Sequence, residues 1–300
     1  MDFWLKANLR KILLANVIAQ VGIVVTGGLV RVTSSGLGCP TWPECVDGSI
    51  TPTSAQTESW HKYVEFGNRL LTFVLVIIAA MVIVAIRKSK LGRRDLTILS
   101  YATLVGILIQ VVLGGITVLT KLHPLTVAAH FLVSIGLISI AFALHRRAVE
   151  TENVTKPKPS FELTVPPIFR QGAQLHTALA LLVIVVGTIV TGSGPHAGDV
   201  NEVTRLPIDP RVISWLHADL VLLYVGLTLG LYVAAKSLKL NSVIVRAIVT
   251  VLVVSAVQGV IGYVQYFTGL PWILVAFHIT GSCLLWIATL NLLFTTRKLT

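Results

Sequence analysis

Eight times along its 300 residues the chain runs for about twenty positions almost without charge. A helix rising 1.5 Å per residue needs about 20 such residues to cross a hydrocarbon layer roughly 30 Å thick. Inside lipid no water satisfies backbone N–H and C=O groups, so long unbroken apolar runs cross as α-helices. The spans fall at roughly 10–32, 60–86, 96–119, 124–145, 172–193, 210–236, 243–267 and 271–295. The first lacks a small-residue cleavage site followed by a soluble domain, and reads as a retained helix. With 54% hydrophobic and 12% charged residues and a mean hydropathy of +0.83, a pair of soluble domains is excluded. The expected class is an all-α polytopic membrane protein.

A net charge of +11 would ordinarily raise the question of nucleic acid, but its distribution answers otherwise. Lys and Arg gather at both termini and in the even-numbered connections: Arg87, Lys88, Lys90, Arg93 and Arg94, then Arg146, Arg147, Lys156 and Lys158, then Lys236 and Lys239. The odd-numbered connections hold few, namely Lys121, Arg205 and Arg211. The positive-inside rule then puts both termini in the cytoplasm. The basic excess is an orientation signal that also suits an anionic bilayer surface, and no nucleic-acid partner is needed to explain it.

Cys39 and Cys45 share the first external loop, "SGLGCPTWPECVDG". That side is oxidising, which predicts a Cys39–Cys45 disulfide; two thiols without neighbouring histidines are only half a zinc site. Cys283, inside the last span, reads as a small packing residue.

The chain also repeats itself. "QVVLGGITVLTKLHPLTVAAH", Gln110 to His130, aligns without a gap on "QGVIGYVQYFTGLPWILVAFH", Gln258 to His278. A similar offset superimposes "YVEFGNRLL" on "VISWLHADL" and so pairs Asn68 with His217, and "VVTGGLVRVTSSGLG" echoes "VVGTIVTGSGPHAG". This predicts a duplicated four-helix unit: a bundle at 1–150, a cytoplasmic linker at 151–170 and a second bundle at 171–300, as two tandem, pseudo-twofold-related four-helix bundles. Because four is even, both halves enter the membrane in the same direction, unlike inverted-repeat transporters.

The repeat gives meaning to three intramembrane histidines. His130, His217 and His278 each sit six to eight residues in from the external end of a span, or about 10 Å deep. One such imidazole can be a structural hydrogen bond. Two at equal depth on different helices of one bundle are how four-helix units hold a haem iron by both axial positions, and His217 and His278 form such a pair. Zinc would want further ligands; a proton relay is the other reading. In the first half, "HKYVEFGNRLL" offers His61, Glu65, Asn68 and Arg69, with Asn68 in the slot that His217 fills in the second. Asparagine is a poor iron ligand, so a haem here would hang from His130 with its other axial side open. His61 stands on the same face but about 10 Å higher, too near the surface to take its place. Glu65 reads either as an i,i+4 ion pair with Arg69 or as a catalytic carboxylate, charged residues in a span being functional candidates. His123, His145, His176 and His196 read as solvated or interfacial. Tyr101, Thr103 and Gln110 on span three could line a site or bond across helices.

At this point the chain resembles the haem A synthases of cytochrome-oxidase assembly. The resemblance covers nearly the whole chain and rests on "GGLVRVTSSGLGCPTWP", "EFGNR", "LTKLHPLTVAAH", "TGSGPHAGD", "LHADL" and "LPWILVAFH". It implies an eight-helix, multi-pass enzyme of the plasma membrane that oxidises the C8 methyl of haem O to a formyl group by successive hydroxylations. A haem b cofactor would be held by His217 and His278. The substrate haem would lie in the N-terminal half at His130, with Asn68 and Arg69 beside it and Glu65 as the catalytic group. Both sites would lie toward the external face. The family's usual motif has His where this chain has Asn68, which leaves His130 as the one clear substrate-iron ligand. Members of one type carry a second cysteine pair in the third external loop; this chain has none there, so a thiol relay between the two loops is not supported. Partners implied are haem O, an electron acceptor and the farnesyl-transferring haem O synthase; homo-oligomerisation is left open. Two other classes compete: a di-haem electron-transfer cytochrome, which would want a complete histidine pair in each half, and a proton-coupled carrier, which would want broken helices at mid-span.

Overall fold

The computed structural model describes residues 8–54, 56–89, 91–152, 161–199 and 204–299; Lys90, Lys156 and Lys158 of the basic connections, and part of the expected linker, lie outside them. Eight helices among the described residues are long and apolar enough to cross a membrane: α1 (Leu9–Val32), α2 (His61–Lys88), α3 (Arg94–Leu119), α4 (Pro124–Glu152), α5 (Pro167–Ser193), α6 (Pro210–Ser237), α7 (Ser242–Phe267) and α8 (Trp272–Thr295). The protein is a polytopic, all-α integral membrane protein. Its large outward side chains, among them Ile18, Phe73, Ile77, Leu222, Val260 and Phe277, are apolar and exposed, as lipid-facing surfaces are.

Local chemistry explains the helix starts. Pro124, Pro167 and Pro210 each open a helix, where the missing N–H costs nothing and φ is already helical. Ahead of α6, Asp209 caps by accepting from the N–H groups of Arg211 and Val212 at 2.7 and 3.3 Å; Asn241 caps α7 through Ile244 N–H at 3.1 Å. Two boundaries move from those expected. α4 runs past residue 145 because Leu144 and Ala148 are buried in a cluster with α1–α3, and α5 begins before residue 172 because Phe169 and Ala173 are buried. Just before it, β1 (Phe161–Leu163) pairs antiparallel with β2 (Arg297–Leu299), so the described end of the expected linker is ordered structure.

The turns after α3 and α7 share a local geometry. Lys121 and Leu122 after α3, and Gly269 and Leu270 after α7, all take positive φ, from 51 to 78°. In both turns the second of these residues donates backbone N–H to a carbonyl five residues back, Leu122 to Thr117 at 2.9 Å and Leu270 to Gln265 at 2.7 Å.

The chain divides into two compact units. The first holds α1–α4 as far as Val149 together with Thr191–Pro207; the second holds Glu150–Val190 and Ile208 onward. In the first unit, Leu9, Leu13, Val82, Ile86, Leu96 and Leu144 close the basic end, and Leu75, Ala79, Ile107 and Leu137 fill the middle. Two turns further along their helices from Leu75, Ile107 and Leu137 come Asn68, Gly114 and His130, about 10 Å nearer the opposite end. There the packing changes from apolar to polar. Thr191–Pro207 is bound to this same end: Arg31 donates to the carbonyls of His196 and Thr191 at 2.9 and 3.1 Å, and Gly36 N–H to Gly198 O at 2.7 Å. A Cβ on Gly36 would stand 2.8 Å from that oxygen, so only glycine permits the approach.

In the second unit, the β1–β2 ribbon joins the start of α5 to the end of α8. Thr164 Oγ1 donates to Thr295 O at 2.7 Å, and Arg170 donates to Thr296 Oγ1 at 2.9 Å.

Candidate functional site

Four positions, one on each even-numbered helix, share a setting. Within the first unit Asn68 of α2 faces Gly27 of α1, and His130 of α4 faces Gly114 of α3. Within the second, His217 of α6 faces Gly187 of α5, and His278 of α8 faces Gly262 of α7. A Cβ placed on those glycines would lie 3.9, 3.4, 3.2 and 3.4 Å, respectively, from the nearest atom of the facing side chain. Each polar side chain therefore rests against bare backbone, which holds it at a set depth and angle.

In the second unit the His217 and His278 ring centroids are 6.5 Å apart, with planes at 74°. A metal about 2 Å from a nitrogen of each ring would separate two axial imidazoles by roughly 6 Å, so the spacing fits one iron between them. His278 Nδ1 is buried without a partner, and His217 Nδ1 faces the Val183 backbone without ordinary hydrogen-bond geometry. Buried nitrogens left unpaired are costly and uncommon in a packed core. Gln258 on α7 donates to the His278 carbonyl at 2.9 Å, and Gly281 leaves it room, since a Cβ there would stand 2.5 Å from the carboxamide. Among the described residues no three His, Cys, Asp or Glu side chains converge on a point. The donor set suits a metal that brings its own equatorial ligands, as a porphyrin does.

The first unit repeats this support. Gln110 donates to the His130 carbonyl at 2.9 Å and also to Ser134 Oγ. That decides Gln110 in favour of bonding across helices. Thr103 bonds back to Leu99 O within its own helix, and Tyr101 lies under Arg87. His130 Nδ1, like that of His278, is buried and unpaired. Asn68 accepts from Thr26 Oγ1 at 2.7 Å.

Above this level the loop that joins α1 to α2 is fastened to α2. Cys39 and Cys45 form a disulfide and are fully buried. Glu65, 6% exposed, accepts at Oε2 from Cys39 N–H at 2.6 Å and at Oε1 from Arg69 Nε and Nη2 at 3.1 and 2.7 Å. Arg69 also donates to the carbonyls of Cys39, Thr41 and Glu44 at 2.9 to 3.2 Å. The i,i+4 ion pair is therefore present, but its members reach well beyond each other, and Arg69 turns its donors into the loop. Lys62 adds bonds to the Thr53 and Gln56 carbonyls at 2.8 and 3.2 Å. Trp42 lies on Gly115, where a Cβ would be 2.5 Å from its ring, one residue from the glycine that faces His130. His61 stays at the surface end of α2, its Nδ1 2.8 Å from Ser35 Oγ, beside a cleft of about 300 Å³ that Glu58 and Asp199 also line.

One histidine is placed against expectation. His176, expected to be solvated or interfacial, is 0% exposed. It stacks on Tyr224 with centroids 4.3 Å apart and pairs through Nε2 with Thr228 Oγ1 at 2.9 Å, while Tyr224 OH meets Thr289 Oγ1 at 2.6 Å. The cause is the early start of α5, which carries His176 into the second unit's core rather than leaving it near a helix end. Thr26, Gly27 and Gly187 also belong to the slots of Asn68 and His217, and the sequence signal for them is the pair of matched glycine-rich segments in which they lie.

Eight apolar spanning helices, with histidines and one asparagine seated on glycines of their neighbours, define an integral membrane protein built around interior polar slots. The chain belongs to the COX15-CtaA family, described as cytochrome oxidase assembly protein, whose model matches residues 10–290. It is similar to the haem A synthases of Geobacillus kaustophilus, 33% identical over 132 residues (42% of this chain and 39% of that protein), and of Lysinibacillus sphaericus, 36% identical over 133 residues (43% and 41%). It is also similar to that of Exiguobacterium sibiricum, 30% identical over 177 residues (57% and 55%). The chain thus spans about two-fifths of the length of the first two relatives and about half of the third.

Proposed function

We propose that this protein is a haem A synthase, a membrane oxidoreductase that converts the C8 methyl of haem O to a formyl group by successive hydroxylations. The single observation that carries the reading is an asymmetry between equivalent slots: His217 and His278 lie 6.5 Å apart in one unit, while the corresponding slots of the other hold His130 and Asn68. A complete axial pair suits a resident electron carrier, and a half-pair beside a carboxylate suits a substrate.

In this reading residues 171–300, apart from Thr191–Pro207, which pack with the first unit, are the cofactor half, where His217 and His278 hold haem b, with Gly187 and Gly262 setting ring depth and Gln258 holding α8 in register. Bound there, a haem b supplies one-electron transfer toward an external acceptor. Residues 1–150 are the substrate half, and 151–170 join the two on the cytoplasmic side. His130 binds the substrate iron, Glu65 takes a proton at its carboxylate from the water that supplies the oxygen while the electrons pass to the external acceptor, and Arg69 with the disulfide loop fixes the Glu65 oxygens. The distribution of Lys and Arg supports cytoplasmic termini and haem sites toward the external face of the plasma membrane.

The test is pigment analysis of the purified protein after co-production with a haem O source. Haem A should accumulate, and a b-type low-spin spectrum should vanish in His217→Ala and His278→Ala. A b-type spectrum without any haem A would leave a relay cytochrome, and a colourless folded protein would leave a carrier.

A further inference from the structure

Asn68 is more than a missing histidine. Its Nδ2 lies 3.9 Å from where a Cβ on Gly27 would stand. On Gly114 and Gly187 the same construction puts the Nε2 atoms of His130 and His217 at 3.9 and 4.0 Å. On Gly262 the nearest ring nitrogen is His278 Nδ1, at 3.9 Å, so the amide nitrogen stands as far from its glycine as a ring nitrogen of each histidine stands from its own.

The chemistry in that place differs. A carboxamide nitrogen carries two hydrogens and offers no lone pair to a metal, whereas a neutral imidazole nitrogen does. Thr26 fixes which end of the amide faces which way. Its hydroxyl has one hydrogen and three acceptors around it, the Gly22 and Ile23 carbonyls at 3.1 and 3.2 Å and Asn68 Oδ1 at 2.7 Å; the shortest contact directs that hydrogen to Oδ1 and leaves Nδ2 as the free donor. Among the described residues Nδ2 donates to nothing.

We propose that Asn68, oriented by Thr26, is a hydrogen-bond donor over an exchangeable coordination position on the iron bound by His130, so that the first unit admits small lone-pair-bearing ligands which the second unit excludes. This rests on the reading of the first unit as a haem site. Where the other slot pair offers two imidazoles and closes both faces of an iron, this one offers an imidazole on one face and an N–H on the other. Thr26 and Asn68 are then positioning residues for whatever small molecule reaches that face.

The probe is cyanide, titrated into full-length ferric protein loaded with haem O and followed by electron paramagnetic resonance and absorption. Wild type should show a low-spin signal from the His217/His278 site and a high-spin signal from the first unit, with cyanide converting the second signal only. Asn68→His should turn the high-spin signal low-spin and weaken cyanide binding at least tenfold. Asn68→Leu should stay high-spin yet lose about tenfold in cyanide affinity, the usual scale for one hydrogen bond to a charged acceptor. Thr26→Val should move the same way, by about threefold. The His217/His278 signal, unchanged in each variant, reports correct folding.

Two haems per chain with both already low-spin and inert to cyanide, or an Asn68→Leu variant that binds cyanide like wild type, would overturn the role of Asn68 alone. A single low-spin haem per chain, unaltered by His130→Ala, would instead remove the haem reading of the first unit and this proposal with it.

Discussion

The backbone N–H of Cys39 donates to the Glu65 carboxylate at 2.6 Å, so the acid on α2 and the disulfide loop hold each other in place. Cutting the Cys39–Cys45 bond frees one end of that arrangement without removing the donor itself. Cys39→Ala, or thiol reduction, should lower haem A formation severalfold while leaving the His217/His278 spectrum intact. Pigment analysis of matched preparations checks this, and unchanged turnover would mean that the loop does not need its crosslink.

Arg69 ties three loop carbonyls to Glu65, so it should govern how readily the loop opens. Arg69→Ala should let a water-soluble reductant reach the disulfide at least tenfold faster, read by alkylation and mass spectrometry over time. Arg69→Lys, which keeps the charge but loses the fork of donors, should fall between. Equal reduction rates in all three proteins would assign the shielding to other groups.

Glu65→Gln preserves the shape of the carboxylate while removing its charge and its capacity to take a proton. Haem A formation should stop, and haem O should remain bound with the low-spin signal undisturbed. Retained full turnover would exclude Glu65 as the proton acceptor.

The glycines provide a graded test of ring seating. A Cβ at Gly187 would stand 3.2 Å from His217 and one at Gly262 3.4 Å from His278, so Gly187→Ala should shift or weaken the low-spin spectrum more than Gly262→Ala. Valine at either position should abolish it. Gly136→Ala and Gly226→Ala, where an added Cβ meets nothing within 4 Å, should be spectrally silent. If all four alanine variants behave alike, the facing glycines do not position the histidines.

His176 lies in a buried cluster with Tyr224, Thr228 and Thr289. Removing it leaves a cavity and takes one of two partners from the Thr228 hydroxyl, which keeps the Tyr224 carbonyl at 2.8 Å; the cavity is the larger destabilising effect. His176→Ala should lower the thermal midpoint of the purified protein by several degrees and leave its haem content per folded chain unchanged. A loss of haem at full stability would make His176 part of the cofactor site.

Much of this fold is legible in the sequence. The number of spanning helices and most of their limits follow from runs of side chains that can only lie in lipid. Other features escaped because they depend on what a residue meets rather than on what it is. His176 looked like a helix-end histidine until α5 was seen to begin earlier. Gln110 could have lined a site or crossed to a neighbour, and only the His130 carbonyl 2.9 Å away decided it.

Sequence by itself therefore determined that the chain crosses a bilayer on eight helices and which polar side chains would be stranded inside them, because the cost of burying a charge or an unpaired backbone group in hydrocarbon leaves few alternatives. Tertiary structure alone decided which glycine each of those side chains rests on, that Thr191–Pro207 belongs with the first unit, and that Glu65 and Arg69 grip the disulfide loop. These are contacts between residues far apart in the chain, set by packing and hydrogen-bond geometry that no local pattern encodes.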